Sequence, residues 1–171
     1  VVAATPTEAP MPSNAPECEP WMPEWSEPQH DRVLFQDPTT ELWGYKNAAG
    51  AVVLAPQYQH AWTFWPGGFA AVLPQDKDIT DRKHPFLFID PTGKTIARAF
   101  TFDNGPDYYQ EGFFRITDAG KRGFMNDRGE IVIAPQYETV FAFCHGKARV
   151  EHAGQTFYID TKGAKTTAPA E

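Results

Sequence analysis

The sequence predicts an all-β fold: an antiparallel array of about four β-hairpin units, wrapped as a partial propeller or a compact curved sheet. Three observations carry that expectation. Aromatic residues make up 14% of the 171-residue chain, and 13 glycines and 16 prolines interrupt them, which favours short strands and turns over long helices. The phrase GAVVLAPQY (Gly50–Tyr58) returns as GEIVIAPQY (Gly129–Tyr137). Four segments also share the form aromatic, any residue, Asp or Asn, two residues, Gly: YKNAAG (Tyr45–Gly50), FIDPTG (Phe88–Gly93), FMNDRG (Phe124–Gly129) and YIDTKG (Tyr158–Gly163).

Taken in chain order, residues 1–28 hold seven of the 16 prolines and cannot form a helix or an internal strand. They read as a Pro-rich tail or linker. Trp21, Met22 and Trp25 suit a segment partly docked on the domain that follows, residues 29–171. DRVLFQD (Asp31–Asp37) has the pattern of the last strand of a degenerate earlier unit.

Each of the four segments then reads as a hairpin turn. The Asp or Asn (Asn47, Asp90, Asn126, Asp160) is expected to accept hydrogen bonds from backbone N–H groups two residues on. The closing glycine supplies the positive φ of a bulged hairpin loop. AVVL, TIA and EIVI follow as second strands, and the prolines of APQY are expected to end ladder pairing. Phe64 and Phe143 each lie six residues after the tyrosine of that phrase and are expected to fill the space between units. Turn glycines at 50, 93, 129 and 163 give a period near 35 residues, as in a repeat architecture where each unit buries its face against the next.

LWGYKNAAGAVVLAPQYQHAWTFWPGGFAAV resembles the WG repeat, also called the KWG repeat. Trp43, Gly44, Tyr45, Gly50, Pro56 and Tyr58 carry the match in unit one, and unit three matches with Arg122 in the Trp position. Unit two departs, with Leu87 in place of the motif glycine and ARAFTF where Pro-x-Tyr is expected, and unit four stops after KGAKT. The resemblance covers roughly residues 42–166. It implies a β-rich interaction module without a shared catalytic residue.

The residues themselves offer little chemistry. Ser13 and Ser26, the only serines, lie in the Pro-rich leader, a poor place for a nucleophile. Cys144 and His145 are neighbours that point to opposite faces of a strand, so a thiolate–base pair is disfavoured. His30, His60, His84, His145 and His152 have no metal-ligand spacing, and DKDITD (Asp76–Asp81) lacks the glycine and glutamate of a calcium loop. No catalytic residue, metal or cofactor is expected. The net charge of −7, with five glutamates and no Lys or Arg in residues 1–28, makes nucleic acid an unsuitable partner, and no apolar run is long enough to span a membrane.

Cys18 and Cys144 either form a disulfide that ties the tail to the domain or are two unrelated thiols. A Pro/Ala/Thr/Glu-rich leader, VVAATPTEAP, suits a chain exported to the periplasm or secreted.

Binding is expected where the repeat breaks its pitch. LPQDKDITDRKHP (Leu73–Pro85) is one such insertion. The other is DNGPDYYQEG (Asp103–Gly112), where Asp103, Asn104, Asp107, Tyr108, Tyr109 and Gln110 form the candidate partner-binding set. Adjacent tyrosines on an extended segment cannot both face the core. Trp62 and Trp65 are a second aromatic candidate, assigned rather to the core. The expected function is a non-catalytic protein that binds a partner protein, such as an inhibitor or immunity protein against a toxin or a cell-wall-degrading enzyme. The alternative is a carbohydrate- or peptidoglycan-binding module using exposed aromatics.

Overall fold

The computed structural model describes Cys18, Pro20, Pro23, Trp25 and residues 27–169. Its strands pair antiparallel throughout, and the only helical turn among the described residues is a short 3-10 turn at Asp76–Asp78. Trp21 and Met22 lie outside the described residues.

A lone strand, β1 (Val33–Gln36), precedes the units. Unit one is β2 (Trp43–Lys46), β3 (Val52–Ala61) and β4 (Ala70–Pro74). Unit two is β5 (Leu87–Ile89), β6 (Thr95–Ala99), a small hairpin of β7 (Thr101–Phe102) and β8 (Gly105–Pro106), then β9 (Phe113–Asp118). Unit three is β10 (Lys121–Asn126), β11 (Ile131–Tyr137) continued by β12 (Thr139–Val140), and β13 (Lys147–His152). Unit four is β14 (Gln155–Asp160) and β15 (Lys165–Thr166). One nine-stranded sheet runs β1-β2-β3-β4-β5-β6-β9-β10-β11, and the ladder then passes to a second sheet, β12-β13-β14-β15. The array is open and does not close into a barrel.

The four turns repeat one hydrogen-bond pattern. Asp90 Oδ1 accepts from the N–H groups of Thr92 (2.8 Å) and Lys94 (3.1 Å). Asn126 Oδ1 does the same for Arg128 and Glu130, and Asp160 Oδ1 for Lys162 and Ala164. Asn47 Oδ1 accepts from Ala51, the same i+4 position, and the Ala48 N–H of that turn donates to Asp31 at 2.7 Å. Gly50, Gly93, Gly129 and Gly163 all have φ between +73° and +87°, a region that costs any other residue strain.

The prolines do not end the ladders. Pro56 lies inside β3 and Pro135 inside β11, and each marks a bulge. Trp43 pairs with Tyr58, but Tyr45 pairs with Leu54, so β3 carries two extra residues opposite Gly44. Arg122–Tyr137 and Phe124–Ile133 repeat that register around Gly123. A proline without an N–H is tolerated where the ladder already skips. The bulge folds over the motif glycine: a Cβ on Gly44 would lie 2.6 Å from the Leu54 carbonyl oxygen. Unit two has Leu87 at that place, and β5 and β6 pair there without the two-residue offset. Glycine and bulge therefore come and go together.

Each core belongs to two units. Tyr45, Phe88 and Phe124, at matching positions of β2, β5 and β10, are buried in the core of their own unit. The next residue along the strand points the other way: Ile89 joins the core of unit one, Met125 that of unit two and Ile159 that of unit three. Phe64 and Phe143 are fully buried, as are the bulge-closing Tyr58 and Tyr137 almost entirely.

Gly44→Ala and Gly123→Ala should each destabilise the domain by about 1–3 kcal/mol, since backbone must shift to admit the methyl. Gly105→Ala, whose Cβ would meet only the Phe102 carbonyl at 3.9 Å, should change stability by less than about 0.5 kcal/mol. Urea melts of the three variants check the contrast.

Candidate functional site

The connection into each unit's third strand ends in the same way, at an isolated bridge: Trp65 with Phe69, Gln110 with Phe113 and Cys144 with Lys147. Trp65, Gln110 and Cys144 are therefore equivalent positions in units one, two and three. The tail passes all three. Trp25 meets Trp65 edge to face at 5.9 Å, the Gln110 Nε2 donates to the Cys18 carbonyl at 2.9 Å, and Cys18 is disulfide-bonded to Cys144. Their Cα atoms are 5.2 Å apart, within the ordinary range for a disulfide. Of the two alternatives for the cysteines, the bonded one holds.

Tyr109 precedes Gln110 as Phe64 precedes Trp65 and Phe143 precedes Cys144, so it is the buried aromatic of unit two. It is only 6% exposed and stacks on Trp65 at 5.3 Å. Asp107 is 3% exposed. Neither can offer a side chain to a partner, which removes both from the expected binding set. What the irregular segment adds is length: ten residues separate Ala99 from Tyr109, against six from Tyr58 to Phe64 and six from Tyr137 to Phe143. The extra residues form the β7–β8 hairpin, with Asp103 and Asn104 at its tip in left-handed conformations (φ +50° and +61°).

That hairpin builds one wall of a cleft of about 270 Å³. Phe102 and Tyr108 line it from unit two, Phe141 from unit three and Pro20 from the tail, while Gln110 and Arg115 contribute polar atoms. Phe102 and Phe141 are two of the few large apolar side chains left exposed, at 41% and 42%. Each ring is held in place. Arg115 lies 5.2 Å over Phe102 and 4.6 Å over Phe100, and Arg149 lies 4.3 Å over Phe141. Tyr108 packs edge to face on Phe102 at 5.6 Å, and its hydroxyl donates to Asp103 at 3.1 Å, which raises the phenol pKa.

Asp107 fixes the floor. Its carboxylate accepts from Arg115 N–H (2.8 Å), Nε (3.0 Å) and Nη2 (2.6 Å). Burial pushes the Asp107 pKa above its ordinary value, and the hydrogen bonds and charge of Arg115 oppose that rise. Of the expected partner-binding set, Asp107, Tyr108 and Gln110 line this cleft, together with Phe102, Arg115 and Phe141, which sequence reasoning did not single out. Phe141 lies four residues after Tyr137, where unit one has Trp62, and that spacing could have singled it out.

Other candidates take structural places. Trp62 and Trp65 pack against the core of unit two. Among the described residues the one group of three metal-capable side chains close enough to share an ion is Cys18, Cys144 and His145, and its sulfurs are joined to each other. His84, in the other insertion, is buried: its Nδ1 accepts from the Thr101 N–H at 3.0 Å, so its proton sits on Nε2, which has no hydrogen-bond partner among the described residues. Burial lowers the His84 pKa from 6.5, Asp81 opposes, and Arg122, Lys83 and Arg98 add to the fall.

The profile of the WG containing repeat matches residues 43–76 and 123–154. These segments comprise β2–β4 of unit one and the bulged hairpin and third strand of unit three, the units that carry both the motif glycine and its bulge. The two matching segments thus flank unit two, which lacks both features and carries the inserted hairpin. No curated protein and no solved structure matches the chain.

The disulfide closes a loop of 126 residues, for which chain entropy sets a contribution of about 5 kcal/mol. Cys18→Ser should therefore lower the thermal midpoint, and dithiothreitol should lower that of the wild type but not of the variant. His84 has its pKa depressed in the folded state, so the stability it contributes is complete above pH 6.5 and lost as the pH falls through the folded pKa. The urea midpoint should drop below pH 6.5. In His84→Asn, where Oδ1 can still accept from Thr101, that acid-induced fall should be smaller.

Proposed function

We propose that this chain is an exported, non-catalytic binding protein whose cleft between units two and three seats a segment of another protein. The observation that carries the proposal is the pair of exposed, pre-ordered rings, Phe102 and Phe141, facing a cleft made by the one hairpin the other units lack. Rigid aromatic side chains offer contact area with little entropy left to lose, which is why such residues dominate protein interfaces. Export is supported by the disulfide, which persists in an oxidising compartment. A non-catalytic role is supported by the cleft's chemistry. Its one lining carboxylate, Asp107, is committed to Arg115, and the lining residues include no nucleophile paired with a base. Inhibition of, or immunity to, a secreted enzyme or toxin is the narrower form of the same proposal. Sugar stacking finds less support, because Phe102 and Tyr108 meet at 80° and form no flat platform.

The purified chain, immobilised and exposed to a cell-envelope extract of its source organism, should retain a stoichiometric protein partner. Phe102→Ala/Phe141→Ala, with an unchanged thermal midpoint, should lose it. Retention by peptidoglycan or polysaccharide alone, or a partner indifferent to the double substitution, would count against the proposal.

A further inference from the structure

We infer that the cleft recognises an extended, proline-bearing segment of its protein partner. This deepens the binding role just proposed and rests on it. The cleft is continuous with a contact the chain already makes: Pro20 lies along its rim, two residues beyond Cys18, whose carbonyl is held by Gln110 and whose sulfur is bonded to Cys144. A proline of the chain itself is thus already among the residues that line this cleft of about 270 Å³. That volume lies just below the range of small-molecule and cofactor pockets and suits one or two side chains of a bound peptide.

The polar groups fit the same occupant. The Asp107 carboxylate is consumed by Arg115 and is closed to an incoming N–H. Arg115 spends Nε and Nη2 on Asp107, while Nη1 hydrogen-bonds none of the described residues. The charged group with capacity left is therefore a donor, and it asks for a carbonyl. Proline supplies an apolar ring, a carbonyl acceptor and no N–H that would need a partner. In the polyproline II conformation it also arrives already ordered, with its carbonyls unpaired. Phe102, Tyr108 and Phe141 then provide the ring faces, held from behind by Arg115, Asp103 and Arg149.

The test uses the full chain and a doubly capped hexaproline peptide, with a Gly-Ser peptide of equal length as control. Amide and side-chain NMR shifts should move saturably at Tyr108, Gln110 and Arg115 with hexaproline and not with the control. Phe141→Ala should weaken the interaction by about tenfold or more at an unchanged thermal midpoint. Hexaproline should also displace the captured partner. Shifts that do not saturate, that the control reproduces, or that survive Phe102→Ala/Phe141→Ala would overturn the inference. A chain lacking residues 1–17 that binds hexaproline when the full chain does not would assign the cleft to the chain's own leader and overturn it equally. Self-association lost in Phe141→Ala would assign it to a second copy, with the same consequence. Should hexaproline fail while the double variant still loses its protein partner, only the proline inference falls; a double variant that keeps its partner removes the cleft's binding role itself.

Discussion

The fold depends on a strand that is buried on both faces. The first strand of each hairpin gives one residue to its own core and the next to the core before it: Phe88 and Ile89, Phe124 and Met125. Units joined in this way cannot be stable apart, because removing a neighbour would expose one face of a shared strand. The same logic explains the ends. Unit one has only β1 before it, and the outward position that holds Ile89, Met125 and Ile159 elsewhere is Lys46, which lies 4.4 Å over the Phe35 ring. At the other end GAKTTAP (Gly163–Pro169) repeats the spacing of GAVVLAP with Lys165, Thr166 and Thr167 replacing Val52, Val53 and Leu54. Lys147 closes that end by donating to the Thr167 carbonyl at 2.8 Å. Both ends of the described array carry polar residues at these positions.

The second constraint is how closely the units approach one another, and it accounts for glycines that turn geometry alone does not. A Cβ on Gly93 would lie 2.9 Å from the Leu54 side chain of the preceding unit, and one on Gly67 would overlap the Asp127 carbonyl of unit three. The turn of unit three therefore rests on the connection in unit one, curling the array so that units one and three touch. The tail completes the arrangement by crossing Trp65, Gln110 and Cys144 in turn, contacting each by a different chemistry: ring packing, a hydrogen bond and a covalent bond.

Much of this was legible in the sequence because it repeats. A turn that recurs four times declares its Asp or Asn acceptor and its positive-φ glycine without any coordinates. The bulge was not legible as such. Pro56 and Pro135 remove a donor from the ladder, and sequence alone does not distinguish a ladder that stops from one that skips two residues and resumes. Tyr109 was misplaced for a related reason: the aromatic expected six residues on arrives ten residues on, displaced by an insertion whose boundaries only strand pairing reveals. Asp107 looked like surface because charged residues usually are, but its partner Arg115 lies on the neighbouring strand β9, and no local pattern announces that pair.

The cleft follows from these same constraints. Units one and three keep glycine, bulge and tyrosine and bury most of their aromatic residues, while Phe141 of unit three stays exposed. Unit two gave up the bulge, and its counterpart of Tyr58 and Tyr137 is Ala99. It gained a hairpin that holds Phe102 away from the core and a buried ion pair, Asp107–Arg115, that holds the hairpin in place. A buried pair of this kind is expensive to desolvate and adds little net stability, so its value lies in fixing one arrangement over others. Here the arrangement fixed is the position of Phe102, under Arg115, at the edge of a cleft whose opposite wall is tied down by a disulfide. Phe102 and Phe141 stay exposed at the edge of that cleft, and the proposed binding role rests on that exposure.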